Sequence, residues 1–287
     1  EVLQNLHLSP NKNVIDCTLG DAGHTEAILE RTSPGGKLLG IDADPESILR
    51  AQKQLAAYKG RVTLVQDNFA NLKARSEEYN FSPVHAILFD LGWSTTLFRE
   101  SGRGFSFAND EPIDMRYNPG TGKTAAELIN AADVKELTRV LRQYGEEEKA
   151  QHIARAFVAR RPIITSFDVV SAVKEAYPPF IRGGRRGIRK RIHPATKTFQ
   201  ALRIWVNDEL GVLKQALPQA VDVLEGGGRL AVISFHSLED RIVKQFFKEN
   251  PKLVVITKRP IRPSDEEVKR NPAARSAKLR VAEKKTS

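Results

Sequence analysis

Cys17 is the only cysteine in this 287-residue chain, which excludes a disulfide scaffold and any metal or iron–sulfur site built from several cysteines. The chain also lacks any apolar run near the roughly 20 residues that a membrane-spanning helix needs. Its first residues show no charged-then-apolar signal sequence. Together these absences predict a reducing, cytoplasmic location and no membrane partner. No spacing of metal ligands stands out, so we expect no metal site.

Acidic side chains are few in the second part of the chain. The formal net charge is +10, from 45 Lys+Arg against 35 Asp+Glu. The first 115 residues hold 11 basic and 16 acidic side chains, whereas the remaining residues hold 34 basic and 19 acidic ones. Strong positive charge on a protein is typical of binding to nucleic acid. We therefore expect an anionic partner that contacts the second part.

Short apolar runs rich in β-branched residues alternate with helical patterns in the first third of the chain. Helical patterns at 23–31 and 45–58 separate the first three of these runs. The runs predict four strands, at 14–18, 37–42, 61–66 and 84–90. Such alternation is typical of a parallel α/β sheet with helical crossovers.

The strand pattern stops after Met115 and resumes at 229–235. Between them, residues 120–176 show helical periodicity, and apolar residues spaced by three or four predict a single long helix from Phe199 to Leu217. The simplest organisation is an α/β domain interrupted by a helical insertion. The predicted boundaries are 1–115 and 197–287 for the sheet domain and 116–196 for the insertion.

The carboxyl ends of the predicted strands carry residues suited to a nucleoside ligand. A turn of small residues from Gly20 to Gly23 follows the first strand, and Asp42 ends the second, where a carboxylate can accept hydrogen bonds from ribose hydroxyls. The aromatic ring of Phe69 follows the third strand, and Asp90 ends the fourth. The Gly20-x-x-Gly23 spacing is not the Gly-x-Gly-x-x-Gly fingerprint, which argues against NAD. S-adenosylmethionine, which has ribose and adenine but no phosphate, fits better.

Six blocks of the sequence coincide with those of one known family. They are DCTLGDAGHT at 16–25, DLGWS at 90–94, RGFSFANDEPIDMR at 103–116, HPATKTFQALRIWVNDEL at 193–210, SFHSLEDRIVK at 234–244 and NPAARSAKLRVAEK at 271–284. The chain therefore resembles the bacterial 16S ribosomal RNA cytosine-N4 methyltransferase family, the MraW or RsmH type. The resemblance implies a Rossmann-like sheet dependent on S-adenosylmethionine, with an inserted helical domain for RNA recognition. It also implies methylation of the exocyclic N4 amine of a cytosine in the decoding centre.

The resemblance assigns cofactor contacts to specific positions of this chain. Together with Gly20 of the first turn, they are Ala22, Gly23, His24, Asp42, Phe69 and Asp90. Family members usually have glycine where this chain has Ala22, and alanine keeps that position small. A glutamine that the family associates with the cofactor is Leu97 here, so that contact is not expected.

Methyl transfer to the cytosine amine needs help because the nitrogen lone pair is delocalised into the ring. The amine must be aligned with the methyl donor, and a group must accept its protons. We expect Trp93 to pack against the cytosine after it leaves its stack. Asp114 is our candidate for the proton acceptor, with Asp90 as its rival. The alternative is that Asp114 pairs structurally with Arg103 or Arg116.

Ser234-Phe235-His236-Ser237 ends the resumed strand and opens a helix, again at the edge of the sheet that binds ligands. His236 either orients the substrate or fills a structural role. Ser237 is a candidate N-cap for the following helix.

A basic run from Arg182 to Arg203 contains no acidic residue, and its glycines predict flexibility. Such a segment suits contacts with RNA phosphates. We expect it to bind 16S ribosomal RNA, either free or in the small ribosomal subunit. The predicted contacts are Arg182, Arg185, Arg186, Arg189, Lys190 and Arg191, and Lys197 and Arg203 extend the run.

Other functions are weighed against this one. A DNA amino-methyltransferase would use the same amine chemistry, and a non-catalytic RNA-binding protein of ribosome assembly would explain the altered loop from Trp93 to Leu97. An NAD-dependent oxidoreductase would need a better phosphate-binding turn. A P-loop at Gly120–Thr124 is rejected because its spacing is wrong and no strand precedes it. The oligomeric state, monomer or homodimer, stays open.

Overall fold

This computed structural model describes residues 1–92, 95–177 and 193–286. The chain divides into two units. The first comprises Glu1–Ser94 and Leu210–Ser287, and the second comprises Thr95–Glu209. Within the described ranges, no helix combines the length and apolar character needed to cross a membrane.

The first unit is built on a seven-stranded sheet with the order β3-β2-β1-β4-β5-β7-β6. The strands are β1 Val14–Asp16, β2 Leu38–Asp42, β3 Val62–Gln66, β4 Val84–Asp90, β5 Leu224–Ser234, β6 Leu253–Val255 and β7 Lys278–Lys284. Strands β1 to β5 are parallel, and β7 runs antiparallel to both β5 and β6. The predicted parallel α/β architecture is thus confirmed. β5 begins earlier than predicted, and its pairing with β4 shifts register across Gly226–Gly228.

The helices occur in both units. They are α1 Val2–Asn5, α2 Gly23–Arg31, α3 Pro45–Gln54, α4 Leu72–Glu78, α5 Thr95–Glu100, α6 Ala125–Ala131, α7 Val134–Gly145, α8 Ala150–Ala159, α9 Ser166–Ala176, α10 Ala195–Asn207, α11 Glu209–Val223, α12 Ser237–Glu249 and α13 Asp265–Arg270. Short 3-10 turns lie at Ala56–Tyr58, Phe69–Asn71 and Pro272–Ser276.

The central strands are buried on both faces. Ile15 and Phe89 point into one core, whereas Val14 and Leu88 point into the other, because successive side chains of a strand alternate between faces. The chain moves outward from β1 to β3 and then returns to β4, which pairs with β1 on its other side. In such sheets, ligands bind beyond the carboxyl ends of the strands where this reversal occurs.

The described part of the second unit is helical, as predicted for residues 120–176. Its boundaries, however, differ from those predicted. Phe105 and Met115 are buried in the core of this unit, so the chain enters it before residue 116. Phe199 and Leu202 pack in the same core, so the unit continues past residue 196. Apolar residues in an irregular segment follow no period, which is why the pattern did not indicate the entry point.

The single helix predicted from Phe199 to Leu217 is wrong. Asp208 has φ 45°, in the left-handed region, and it separates α10 from α11. A break of one residue leaves the three-or-four spacing of apolar side chains nearly intact. The apolar periodicity therefore continues across Asp208, although the helical backbone is interrupted there.

Candidate active site

Three carboxylates stand at the carboxyl ends of β1, β2 and β4. Asp16 pairs in register with Gly40 of β2 and with Leu88 of β4. Asp42 and Asp90 therefore each lie two residues beyond the level of Asp16, one on either side of it. The strand order reverses between β1 and β4, and these predicted site residues lie at the carboxyl ends of the strands around that point.

Asp42 accepts two backbone hydrogen bonds. The N–H of Gly20 donates to Oδ2 at 2.8 Å, and the N–H of Asp44 donates to Oδ1 at 2.8 Å. Burial raises the pKa of Asp42 to about 6, although the two N–H groups oppose the rise. A carboxylate has about four acceptor positions, so two stay available to hydroxyl donors of a ligand.

The turn between β1 and α2 is held by a buried carboxylate. Asp16 accepts from the Thr18 N–H at 3.1 Å and from the Thr25 hydroxyl at 2.7 Å, and burial raises its pKa. Ala22, directly before the helix, has φ 58° and is fully buried. A Cβ placed on Gly23 would meet nothing within 4 Å, so the start of α2 borders open space.

His24 and Asp90 contact each other across this edge. Nε2 of His24 lies 3.4 Å from Oδ2 of Asp90, and the hydrogen bond with Asp90 raises the pKa of the imidazole. The N–H of Asp90 donates to the Thr18 hydroxyl at 2.6 Å. Thr18 thereby connects the turn after β1 to the end of β4, which brings two predicted contact residues together.

Phe69 lies in the 3-10 turn after β3. Its half-buried ring packs edge-to-face on Phe89, with centroids 5.4 Å apart. The polar side chains beside it are structural, because Asp67 accepts from Arg75 at 2.6 Å and Asn68 caps the turn. Of Asp67, Asn68 and Phe69, the aromatic ring of Phe69 is the group suited to pack against an adenine.

His236 has a structural role at the start of α12. It is the N-cap, so the expectation that Ser237 caps this helix is wrong. The Glu239 carboxylate accepts from the His236 N–H at 3.3 Å and from the Phe235 N–H at 2.8 Å, and the Glu239 N–H donates to Nδ1 of His236 at 3.5 Å. This reciprocal capping box uses the imidazole as the acceptor.

Asp114, in the second unit, is paired with Arg116. Oδ1 accepts from Nε at 2.7 Å, and Oδ2 accepts from a terminal guanidinium nitrogen at 2.7 Å. Burial would raise the pKa of Asp114, but the hydrogen bonds and charge of Arg116 outweigh it and hold that pKa below its usual value. Arg103 donates instead to the carbonyls of Arg116 and Tyr117. Asp114 therefore forms the structural pair with Arg116 that the sequence offered as the alternative to a proton acceptor.

A family model, the MraW methylase family, matches residues 1–285 of the chain. The chain belongs to the MraW methylase family. Ribosomal RNA small subunit methyltransferase H of Dehalococcoides mccartyi is 49% identical over 302 aligned positions, which cover 99% of this chain and 84% of that protein. The protein of the same name from Thermomicrobium roseum is 45% identical, over 94% of this chain and 87% of its own. The family predicted from the six sequence blocks is confirmed.

Similarity to solved structures is weak. A protein of Streptococcus mutans, described as a methyltransferase and solved in complex with SAH, has a TM-score of 0.45 and 14% identity, over 96% of this chain and 90% of that one. The architecture of this family member is defined by its own strand order.

Ala22 and Leu97, the two positions expected to differ from the family pattern, are both buried. Ala22 occupies a left-handed backbone position, where glycine has no steric penalty. Leu97 is buried in the core of the second unit, with 6% of its surface exposed.

Two basic residues at the end of the predicted RNA-binding run make contacts within the second unit. Arg203 is 4% exposed and forms a bidentate ion pair with Glu209, with N–O distances of 2.7 and 2.9 Å. This burial and pairing make it unavailable to RNA phosphates. Lys197 donates to the Glu146 carbonyl at 2.9 Å. Trp93 and the six predicted RNA contacts from Arg182 to Arg191 lie outside the described residues.

Proposed function

We propose that this chain transfers a methyl group from S-adenosylmethionine to the exocyclic N4 amine of a cytosine in the decoding centre of 16S ribosomal RNA. Membership of the MraW methylase family supports the methyl transfer. The names of its relatives support RNA of the small ribosomal subunit as the substrate. The observation that carries the cofactor assignment is the Asp42 carboxylate, which is held by two backbone N–H groups and keeps acceptor positions available.

The residues at the strand ends fit a nucleoside cofactor. Asp42 would accept hydrogen bonds from the two ribose hydroxyls, as acidic residues at the end of β2 do in dinucleotide-binding sheets. The absence of a side chain at Gly23 leaves room beside the start of α2. Phe69 would pack against the adenine ring. When bound, S-adenosylmethionine supplies a methyl group on a positively charged sulfur. We assign Gly20, Ala22, His24 and Asp90 to the same site.

Asp90 is the better candidate for the acceptor of the amine protons. Both oxygens of Asp114 already accept from Arg116, and its lowered pKa makes it a weaker base. The contacts of Asp90 are longer, at 3.4 Å from Oδ2 to His24 and 3.4 Å from Oδ1 to the Gly92 N–H. We therefore propose that Asp90 accepts a hydrogen bond from the cytosine amine, and that Asp114 orders its own segment through Arg116. Trp93 packs against the cytosine in this proposal.

The basic run supplies the RNA contacts. Arg182, Arg185, Arg186, Arg189, Lys190 and Arg191 bring six positive charges within ten positions, with no acidic residue among them. Phosphate contacts of this kind weaken steeply with salt. We propose that this run binds the RNA backbone near the target cytosine.

The proposal is tested by mapping methylated cytosines in 16S ribosomal RNA, by mass spectrometry, from cells with and without this protein. Loss of an N4-methylcytosine in the cells without it is expected. An unchanged methylation pattern would contradict the proposal and favour a non-catalytic role in ribosome assembly. Incubating the purified protein with free 16S RNA and with small subunits would identify which of the two is the substrate.

A second test separates the two carboxylates. Asp90→Asn should lower kcat by about 100-fold, the lower end of the contribution typical of a positioned proton acceptor. Asp114→Asn should leave kcat nearly unchanged and lower the melting temperature. Calorimetric titration with S-adenosylmethionine is the control, since a variant that no longer binds the cofactor reveals nothing about proton transfer. A large loss of kcat in Asp114→Asn alone would reverse the assignment.

A further inference from the structure

Helix α7 presents a basic face to solvent. The opposite face of the helix is buried, and it carries apolar side chains spaced by three and four residues: Leu137, Val140 and Leu141. The exposed side carries three cations, Lys135, Arg139 and Arg142. Residues three and four apart share a face of a helix, so these side chains follow one another along about 10 Å of helix axis.

An open groove of about 550 Å³ lies beside this face. The three cations line it, together with the hydroxyl of Thr138 and the amides of Gln143 and Gln151, the last from α8. Among the described residues that line the groove, none is acidic and none is aromatic. The groove therefore offers positive charge and hydrogen-bond donors but no ring for stacking.

The positive charge of the groove is poorly compensated within the second unit. Among the described residues, Arg139 forms an ion pair with Glu136, at 3.9 Å between two exposed side chains, and such pairs contribute little. Arg139 also donates to Gln143 at 3.1 Å. In the part of the chain that the structure describes, Lys135 and Arg142 have no acidic partner within 4 Å.

We propose that this groove binds the sugar–phosphate backbone of the RNA substrate, as a contact separate from the 182–191 run. The inference rests on the proposed function for the identity of the RNA. Lysine and arginine bind phosphate oxygens, while hydroxyl and amide side chains bind phosphates and 2′-hydroxyls. Without aromatic residues the contact is independent of sequence. A protein partner would need buried apolar anchors, and Val134 is the only aliphatic side chain lining the described groove.

Binding is tested with a fluorescein-labelled oligouridylate of about 20 nucleotides, titrated at several KCl concentrations. The variant is Lys135→Ala with Arg139→Ala and Arg142→Ala. If each cation meets one phosphate, the slope of log Kd against log salt should fall by about 2, because single-stranded contacts contribute about 0.7 each. The Kd near 100 mM salt should rise at least about tenfold.

A matched variant controls for overall charge. Lys59→Ala with Lys73→Ala and Lys244→Ala removes three exposed lysines of the first unit, and its slope should match the wild type. A third variant, Arg139→Lys with Arg142→Lys, keeps the charges and should retain most of the affinity, since lysine binds phosphate as a point charge. Equal slopes for the groove and control variants would overturn the proposal. Unchanged RNA binding with loss of binding to purified ribosomal proteins would assign the groove to a protein instead.

Kinetics on small subunits from cells without the enzyme give an independent readout. A remote phosphate contact should raise KM about tenfold in the groove variant and leave kcat unchanged. A fall in kcat with unchanged KM would contradict it. If wild-type protein methylates no subunits, the proposed function fails, whereas the oligouridylate titration still decides whether the groove binds RNA.

Discussion

The backbone N–H of Gly20 donates a 2.8 Å hydrogen bond to Oδ2 of Asp42, which connects the turn after β1 to the end of β2. The same carboxylate accepts from Asp44 through its other oxygen. Two elements adjacent in the sheet are thus joined at the position where a ribose would lie. The relationship orients Asp42 before any ligand arrives, which lowers the ordering cost of binding.

Cofactor affinity should depend on the ionisation of Asp42. Its pKa of about 6 lies above the ordinary value, so the folded protein holds this proton more tightly than the unfolded chain, and ionisation opposes folding as the pH rises through about 4 to 6. The ionised form is the better acceptor for ribose hydroxyls. The Kd for S-adenosylmethionine should therefore rise about tenfold between about pH 7 and pH 5, as measured by calorimetry.

Asp42→Asn should bind weakly and show a flat profile over this range. Asp21→Asn, in the same turn, should keep the wild-type profile. A flat profile in the wild type would show that Asp42 does not meet the cofactor as an acceptor.

The His24–Asp90 contact should make stability depend on pH. The hydrogen bond with Asp90 raises the pKa of His24, so its contribution to the free energy of unfolding is present below the unfolded pKa of about 6.5 and disappears as pH rises through the folded value. Asp90→Asn should therefore lower the NMR-measured pKa of His24. It should also destabilise the protein more near pH 6 than near pH 9. An equal loss at both pH values would mean that the contact contributes nothing in solution.

Ala22 should tolerate glycine but not valine. Glycine removes a left-handed backbone penalty of about 1 kcal/mol, and loses about as much from burial of one methyl group, so the unfolding free energy should change by less than about 1 kcal/mol. A β-branched residue at this φ is strained, and the position is fully buried, so a larger side chain would have to displace its neighbours. Ala22→Val should lose more than about 2 kcal/mol in urea denaturation. Equal stabilities for the two variants would contradict a buried, left-handed residue at this turn.

The Arg203–Glu209 pair should be important for the second unit. Arg203→Ala leaves the largely buried Glu209 carboxylate with the Tyr117 hydroxyl but without its cationic partner, and should cost about 3 kcal/mol. The exposed pair Arg160–Glu175, in the same unit, is the control, and Arg160→Ala should change the stability little. Similar losses for the two variants would show that Arg203 is solvated, and would restore it as a candidate RNA contact.

Much of the candidate site could be predicted from sequence because its parts are local. Asp42 and Asp90 each end an apolar run, and the carboxyl ends of parallel strands meet at one edge of a sheet. The turn from Gly20 to Gly23 was identifiable from its small residues alone. These inferences needed only the strand period and the rule for ligand position.

Other assignments depended on contacts that the sequence does not encode locally. Arg203 looked like part of a basic run because its neighbours in sequence are basic, yet its partner Glu209 lies six residues on, beyond the break at Asp208. The sequence left Asp114 as either a proton acceptor or a structural partner of Arg103 or Arg116, and the structure pairs both of its oxygens with Arg116. His236, rather than Ser237, caps α12 because the backbone enters the helix one residue earlier.

The sequence by itself determined the family, the parallel sheet and the carboxylates at its edge, because motifs and strand periods are properties of neighbouring residues. Only the tertiary structure decided which charged groups are already paired and which are available to a ligand. Pairing depends on distances between side chains brought together by folding. The positive charge in the second part of the chain therefore includes both a buried, paired arginine at 203 and the exposed cations of α7, a distinction that no count of charges contains.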